Sequence, residues 1–280
     1  MGHSQRGWAA RLIRLLLIPA LVLALVTLVP VGGPAGAATL AVGAAGTPSG
    51  TGYWTVDPAG RVTPVLTALG WGDLGGIALA RPVVGMGSSA GGNGYWLIAG
   101  DGGVFSFGDA RFFGSTGGIA LQQPVVGIAP TPSGNGYWMV ARDGGVFAFG
   151  DARFLGSTGG IRLDQPVVGM TPPPSGNGYW LVASDGGVFA FGDARFVGST
   201  GGLPLQRPIK GIAATVSGGG YWMVAADGGV FNFGNAPFLG SAAGLGGFDQ
   251  TIAIFRVLST GYRVVNAASG SANFFIVPAA

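Results

Sequence analysis

Histidine, cysteine and glutamate are absent from the chain after residue 37. The only His is His3, and the whole sequence contains no Cys and no Glu. Serine–histidine–aspartate catalysis and zinc sites built from His or Cys are therefore excluded for residues 38–280. Without cysteine, no disulfide can stabilise the fold.

Residues 38–280 also carry no net formal charge. The formal charge of +3 and a sequence pI near 9.6 suggest a basic protein. Three of the fourteen basic residues, however, are Arg6, Arg11 and Arg14, and the eleven that follow residue 37 are balanced by eleven Asp. Because a balanced chain lacks the electrostatic basis for phosphate binding, we expect no nucleic-acid partner.

Residues 1–37 have the pattern of a secretory signal peptide. Three Arg precede an apolar stretch, Leu15–Leu28, and Ala35-Gly36-Ala37 supplies the small residues that signal peptidase requires. We therefore expect a secreted or cell-surface protein with residues 38–280 as the mature domain. The alternative is an uncleaved anchor, since Leu12–Val31 approaches the roughly 20 residues that span a bilayer. Contact with a membrane is expected only through this segment.

A 42-residue repeat fills residues 38–280. Gly-Tyr-Trp occurs five times at this spacing, and Gly-Tyr-Arg at 261–263 forms a sixth copy 41 residues later. Each unit contains runs of β-forming residues separated by Gly-rich turns, and no run has helical periodicity. Around Tyr137 the runs are 125–129, 137–142, 146–149 and 152–156. An Asp-Gly pair between the second and third runs predicts a type I′ hairpin turn.

Four short antiparallel strands in each repeat predict an all-β fold, namely a β-propeller of about six four-stranded blades. The last unit ends before a fourth run, so we expect the sixth blade to be truncated. Two tandem β-trefoils, each made of three four-stranded units, are the alternative fold. An open solenoid is a third.

The repeat consensus is GYWxVAxDGGVFxFGDARFxGSTGG, and it resembles the tandem repeats of many secreted or surface proteins of actinobacteria. The similarity is strong over about residues 77–241 and weak in the two terminal units. It implies a propeller-like array with no established activity, sometimes beside a cell-wall or hydrolase domain. The run from Val125 to Asp151 also looks like a WD-repeat or YVTN-type blade, with Phe-Gly-Asp where a WD repeat has Trp-Asp. Such a likeness implies a fold but does not fix a function.

Two sets of repeated residues are candidates for ligand binding. The Trp of each motif could stack on a sugar ring, or it could pack between blades. The three Asp-Ala-Arg sequences could bind carbohydrate hydroxyls or an anion, or they could be turn residues that form surface ion pairs. The candidates are Trp54, Trp96, Trp138, Trp180, Trp222, Asp109, Arg111, Asp151, Arg153, Asp193 and Arg195.

A further Asp opens the hairpin turn in each of four units, at Asp101, Asp143, Asp185 and Asp227. These carboxylates could bind Ca²⁺ or a sugar, but an Asp at this position usually bonds to the backbone of its own turn. The flanking Gly-Gly also departs from the spaced ligands of a calcium loop. We therefore predict no metal and no cofactor.

These observations favour a non-catalytic binding or scaffold module whose ligand is a glycan, a cell-wall component or a protein. A carbohydrate hydrolase that uses two Asp as acid and base is the alternative from another class. A purely structural repeat array is the third hypothesis. Solvent exposure of the Trp side chains and of the Asp-Ala-Arg sequences distinguishes among them.

Overall fold

The computed structural model describes residues 40–245, 248–257 and 261–267, together with the backbone of 272–275. These ranges contain eighteen strands, arranged in six antiparallel sheets of three strands each. The predicted signal peptide, residues 1–37, lies outside the described residues. Within the described ranges, no helix has the length and apolarity to cross a membrane.

Each sheet is formed by three strands that follow one another in the sequence. The first strands are β1 (Gly43–Gly46), β4 (Val83–Ser88), β7 (Val125–Pro130), β10 (Val167–Thr171), β13 (Ile209–Ala214) and β16 (Thr251–Val257). The second strands carry the Gly-Tyr-Trp or Gly-Tyr-Arg motif and are β2 (Gly52–Val56), β5 (Gly94–Ala99), β8 (Gly136–Ala141), β11 (Gly178–Ala183), β14 (Gly220–Ala225) and β17 (Gly261–Asn266). The third strands are β3 (Val62–Leu66), β6 (Val104–Gly108), β9 (Val146–Gly150), β12 (Val188–Gly192), β15 (Val230–Gly234) and β18 (Ala272–Phe275).

The first strands of all six sheets surround one central channel, so the fold is a β-propeller. The ring closes between the last sheet and the first, where the Ala41 N–H donates to the Ala267 carbonyl at 3.3 Å. The rings of Tyr53 and Phe255 also meet across this junction, with centroids 5.9 Å apart. A single closed ring excludes both the tandem β-trefoils and the open solenoid.

The run predicted as a fourth strand does not pair with the sheet. In the unit of Tyr137, the indole N–H of Trp138 donates to the Arg153 carbonyl at 2.8 Å. The Tyr179 hydroxyl, from the next sheet, accepts from the Leu155 N–H at 3.0 Å and donates to the Gly156 carbonyl at 2.6 Å. Because side chains bond these backbone groups, no ladder forms. The prediction of four strands was therefore wrong, and the sixth sheet is not truncated, since it has three strands like the others.

The hairpin between the second and third strands also differs in type from the prediction. The Gly144 N–H donates to the Ala141 carbonyl at 2.8 Å, and the Ala141 N–H donates to the Gly145 carbonyl at 2.8 Å. Gly144 has a φ of 77°, whereas φ at Asp143 is not positive. This is a type I turn followed by a left-handed glycine, which makes a three-residue hairpin loop. Asp143 supports it by accepting a hydrogen bond from the Gly145 N–H at 2.9 Å.

A Trp–Tyr contact joins each sheet to the next. The Trp96 and Tyr137 rings have centroids 5.5 Å apart. The Tyr137 hydroxyl accepts from the Phe113 N–H at 3.2 Å and donates to the Gly114 carbonyl at 2.5 Å. The equivalent ring pairs are Trp54–Tyr95, Trp138–Tyr179, Trp180–Tyr221 and Trp222–Tyr262. Burying an aromatic side chain contributes roughly 1.5–3 kcal/mol, so the repeated pairs stabilise a Gly-rich chain that has no disulfides.

The junction between the last and first sheets replaces this pair with a cation–aromatic contact. Arg263 occupies the position of Trp in the sixth motif and is fully buried. Its guanidinium lies 4.7 Å from the centroid of the Tyr53 ring, a distance typical of a cation–π interaction. Burial lowers the pKa of Arg263 to about 10 and raises the pKa of Tyr53 to about 12.

Burial of the tyrosines predicts that the protein loses stability at alkaline pH. All six tyrosines have a raised pKa because burial disfavours the phenolate, and for Tyr53 and Tyr262 it reaches about 12. A group whose pKa is raised by folding stabilises fully below its unfolded pKa, and this contribution is lost as the pH rises through the folded pKa. The free energy of unfolding should therefore fall between pH 10 and 12, with the lowered pKa of Arg263 opposing part of the loss.

This effect is measured by urea unfolding at several pH values, together with the tyrosinate absorbance of the folded protein at the same pH values. The urea midpoint should fall above pH 10 while the folded protein shows little tyrosinate absorbance until higher pH. Tyrosinate absorbance that rises at pH 10 in the folded protein, with no change of midpoint, would contradict the prediction.

Candidate binding sites

The five motif tryptophans are core residues and do not form a ligand surface. Their exposed fractions are 0–1%. Each indole N–H donates to the backbone carbonyl 15 residues further along the chain, at 2.7–2.8 Å. Of the two interpretations of these side chains, stacking on sugars is incompatible with this burial, and packing between sheets is the one observed. The residues concerned are Trp54, Trp96, Trp138, Trp180 and Trp222.

Two of the three aspartates of the Asp-Ala-Arg sequences bond to the turn between the first and second strands. Asp151 accepts hydrogen bonds from Thr131 Oγ1 at 2.9 Å and from Ser133 Oγ at 2.5 Å. Asp193 accepts from Ser175 Oγ at 3.1 Å. Asp109 is exposed, as are these two carboxylates. Asp151 and Asp193 thus connect the end of the third strand to the neighbouring turn of the same unit.

The arginines of these sequences face solvent. Arg111, Arg153 and Arg195 are exposed, and each lies two residues from its Asp. The only ion pair within the described ranges joins Arg61 to Asp57, at 3.6 Å. The expected Asp–Arg surface pairs therefore do not form, and the three guanidinium groups remain accessible to a ligand.

An exposed phenylalanine follows each of these arginines and is not among the binding residues predicted from the sequence. Exposed fractions are 61% for Phe112, 61% for Phe154 and 59% for Phe196. Single exposed apolar residues are common, but an exposed Phe recurs at this position in four successive units, the fourth being Phe238 (57%), which follows Pro237 instead of an Arg. We call the six residues Arg111, Phe112, Arg153, Phe154, Arg195 and Phe196 the Arg–Phe rim. The fixed Arg-Phe dipeptide in the consensus was the signal that could have identified it.

A second set of exposed aliphatic residues lies near the other end of the third strands. Ile161 is 60% exposed, and its N–H donates to the Thr158 carbonyl at 3.1 Å. The Thr158 N–H donates to the Gly144 carbonyl at 3.2 Å, which places this loop on the hairpin before β9. Phe154 instead follows the end of β9. The equivalent residues are Ile77, Ile119, Leu203 and Leu245.

The hairpin aspartates act within their own turns, as their position predicted. Each accepts a hydrogen bond from the glycine N–H two residues later, at 2.9–3.0 Å. In the part of the chain that the structure describes, no group of three or more Asp, Glu, His or Cys side chains could hold a metal ion. Turn geometry therefore accounts for Asp101, Asp143, Asp185 and Asp227.

Comparisons with known proteins bear on the fold alone. No protein-family model matches the sequence, and no curated protein matches it. The chain is similar to a structural genomics protein of unknown function from Bacteroides thetaiotaomicron, with a TM-score of 0.58, 11% identity, and coverage of 86% of this chain and 70% of that one. It is also similar to the β-propeller domain of Cps50 (Swd1) from Myceliophteria thermophila, with a TM-score of 0.53, 11% identity, and coverage of 85% and 82%. At this identity the likeness shows that the chain has a β-propeller fold and shows no function.

Proposed function

We propose that this β-propeller is a secreted or cell-surface binding module without catalytic activity, and that it belongs with the actinobacterial repeat proteins that it resembles. The export pattern of residues 1–37 supports the location. The absence of His, Cys and Glu after residue 37 supports a function without catalysis. The repeated Trp and Asp side chains contribute to the core and the turns, which leaves the exposed repeated residues for recognition.

The ligand that we propose is an acidic glycan of the cell wall, bound along the Arg–Phe rim. The observation that carries this proposal is the repetition of an exposed cation beside an exposed aromatic ring on three successive sheets. Aromatic faces pack on the apolar faces of sugar rings, and a guanidinium pairs with a carboxylate through two parallel hydrogen bonds. A polymer of identical units suits identical binding sites, since linked contacts raise the overall affinity. The repetition of the site therefore favours a glycan over a protein partner.

Two matched triple variants test this proposal. The rim variant carries Phe112→Ser, Phe154→Ser and Phe196→Ser, and the control carries Ile119→Ser, Ile161→Ser and Leu203→Ser. Both sets remove side chains that are 59–62% exposed, so their effects on folding should be similar. The rim variant should bind an acidic polysaccharide at least about tenfold more weakly in a co-sedimentation assay, while the control should bind normally.

Co-sedimentation, together with an assay for released sugar products, separates the other two hypotheses. Equal binding by both triple variants, or no binding to any glycan, would contradict the proposed site, and the second result would favour a purely structural array. Release of sugar products that is abolished by Asp151→Asn or another single Asp→Asn change would show a hydrolase instead.

A further inference from the structure

The central channel of the propeller is a cavity of about 1030 Å³ formed by the first strands of all six sheets. This volume is at the upper end of the range of small-molecule sites. Aliphatic side chains and glycine backbone form most of its wall, including Met86, Ile128, Met170 and Ile212. The channel is separate from the Arg–Phe rim.

In five of the six first strands, one residue that lines this channel lies at a β-bulge. The antiparallel register is interrupted at this residue in β4, β7, β10, β13 and β16. A bulged residue is left out of the ladder and its side chain is re-aimed, which is why bulges are common beside binding sites. The bulged residues are Val84, Val126, Val168, Lys210 and Ile252, and all five line the channel.

Lys210 breaks an otherwise aliphatic ring. It is the only Lys of the chain, and the equivalent residues of the other units are Val or Ile. The side chain is exposed to the channel, and within the described ranges no carboxylate lies within 4 Å of it. Valine would satisfy the packing here, as it does at Val84, Val126 and Val168. Packing therefore does not explain the ammonium group.

Other charged residues line the same end of the channel as Lys210. Arg142 and Arg207 also line the channel, and Asp249 is the only acidic residue that does. The Arg142 carbonyl accepts from the N–H of Val167, at the start of β10, so Arg142 lies where the first strands begin. Lys210 is the second residue of β13 and lies at the same end. Three cations and one carboxylate thus surround an aliphatic channel.

We propose that the channel binds an aliphatic carboxylate, with the carboxylate at Lys210 and the hydrocarbon chain along the aliphatic wall. A charge-assisted hydrogen bond from the ammonium would hold the anion, and the side chains of Val126 and Ile128 would remove the apolar chain from water. An inorganic anion alone would leave this wall in contact with water. The proposal does not depend on glycan binding at the rim.

Calorimetric titration of the purified protein with octanoate tests the proposal. We expect saturable binding of one octanoate per chain, with octanol and acetate each binding at least about tenfold more weakly, because one lacks the charge and the other the hydrocarbon. Lys210→Val should weaken octanoate binding about tenfold to hundredfold, and Lys210→Arg should restore much of the affinity. Lys210→Val installs the residue of three other sheets, so its thermal midpoint should match that of the unmodified protein.

Two controls make the outcome specific to the channel. Arg256→Gln removes an exposed cation of β16 outside the channel lining and should leave octanoate affinity unchanged. The rim variant, which carries the three Phe→Ser substitutions, should also bind octanoate with unchanged affinity. Failure of octanoate to bind, or equal binding by Lys210→Val and the unmodified protein, would overturn the proposal. Octanol binding as tightly as octanoate would overturn it too.

Discussion

Trp138→Ala should lower the free energy of unfolding by about 3–5 kcal/mol. The indole is fully buried, and its ring centroid lies 5.7 Å from that of Tyr179 in the next sheet. The substitution leaves a cavity between two sheets. It also removes the indole N–H that donates a hydrogen bond to the Arg153 carbonyl. Urea unfolding followed by circular dichroism measures the loss.

Phe154→Ala is the matched control for this substitution. It removes an aromatic side chain from the same unit, but that side chain is 61% exposed. Its effect on unfolding should stay within about 0.5 kcal/mol, as for most surface substitutions. If Trp138→Ala left stability unchanged and abolished glycan binding, the Trp would be a ligand residue and the packing account would fail.

Gly150→Ala should be nearly as damaging, because two costs combine at this position. Gly150 has a φ of 68°, which costs an L-residue about 1–2 kcal/mol. A methyl group there would also collide with the carbonyl oxygen of Asn135, which is backbone and cannot rotate away. Forcing the backbone segments of Gly150 and Asn135 apart should add about 1–3 kcal/mol to the loss of stability.

Gly202→Ala separates the two costs. Gly202 has a φ of 85°, also positive, and a methyl group there would meet nothing within 4 Å. This variant should lose mainly the conformational part, and the difference between the two urea midpoints then measures mainly the collision. Equal destabilisation by Gly150→Ala and Gly202→Ala would show that the close approach between Gly150 and Asn135 does not exist in solution.

The repeat made the propeller predictable, but it did not predict the number of strands in each sheet. The residues at 152–156 look like a strand because they include an Arg, a Phe and a Leu between two glycines. Whether they pair depends on groups far away in sequence, namely the indole of Trp138 and the hydroxyl of Tyr179. Those side chains take the backbone bonds that a ladder would need.

The candidate sites show the same limit. Alternation along a strand places Trp138 and Tyr137 on opposite faces, but it does not say that a neighbouring sheet covers both. Lys210 breaks the repeat pattern but is not among the site residues predicted from the sequence. The sequence does not reveal that Lys210 lies at a β-bulge and lines the channel. The bulge arises from the register between β13 and β14.

A crystal structure of the protein with an acidic oligosaccharide tests the central claim most directly, because it locates the ligand. The account predicts sugar rings against Phe112, Phe154 or Phe196, carboxylates at the adjacent arginines, and an unbroken hydrogen bond between the Trp138 indole and the Arg153 carbonyl. A glycan bound elsewhere on the propeller, or against an exposed Trp138, would contradict it.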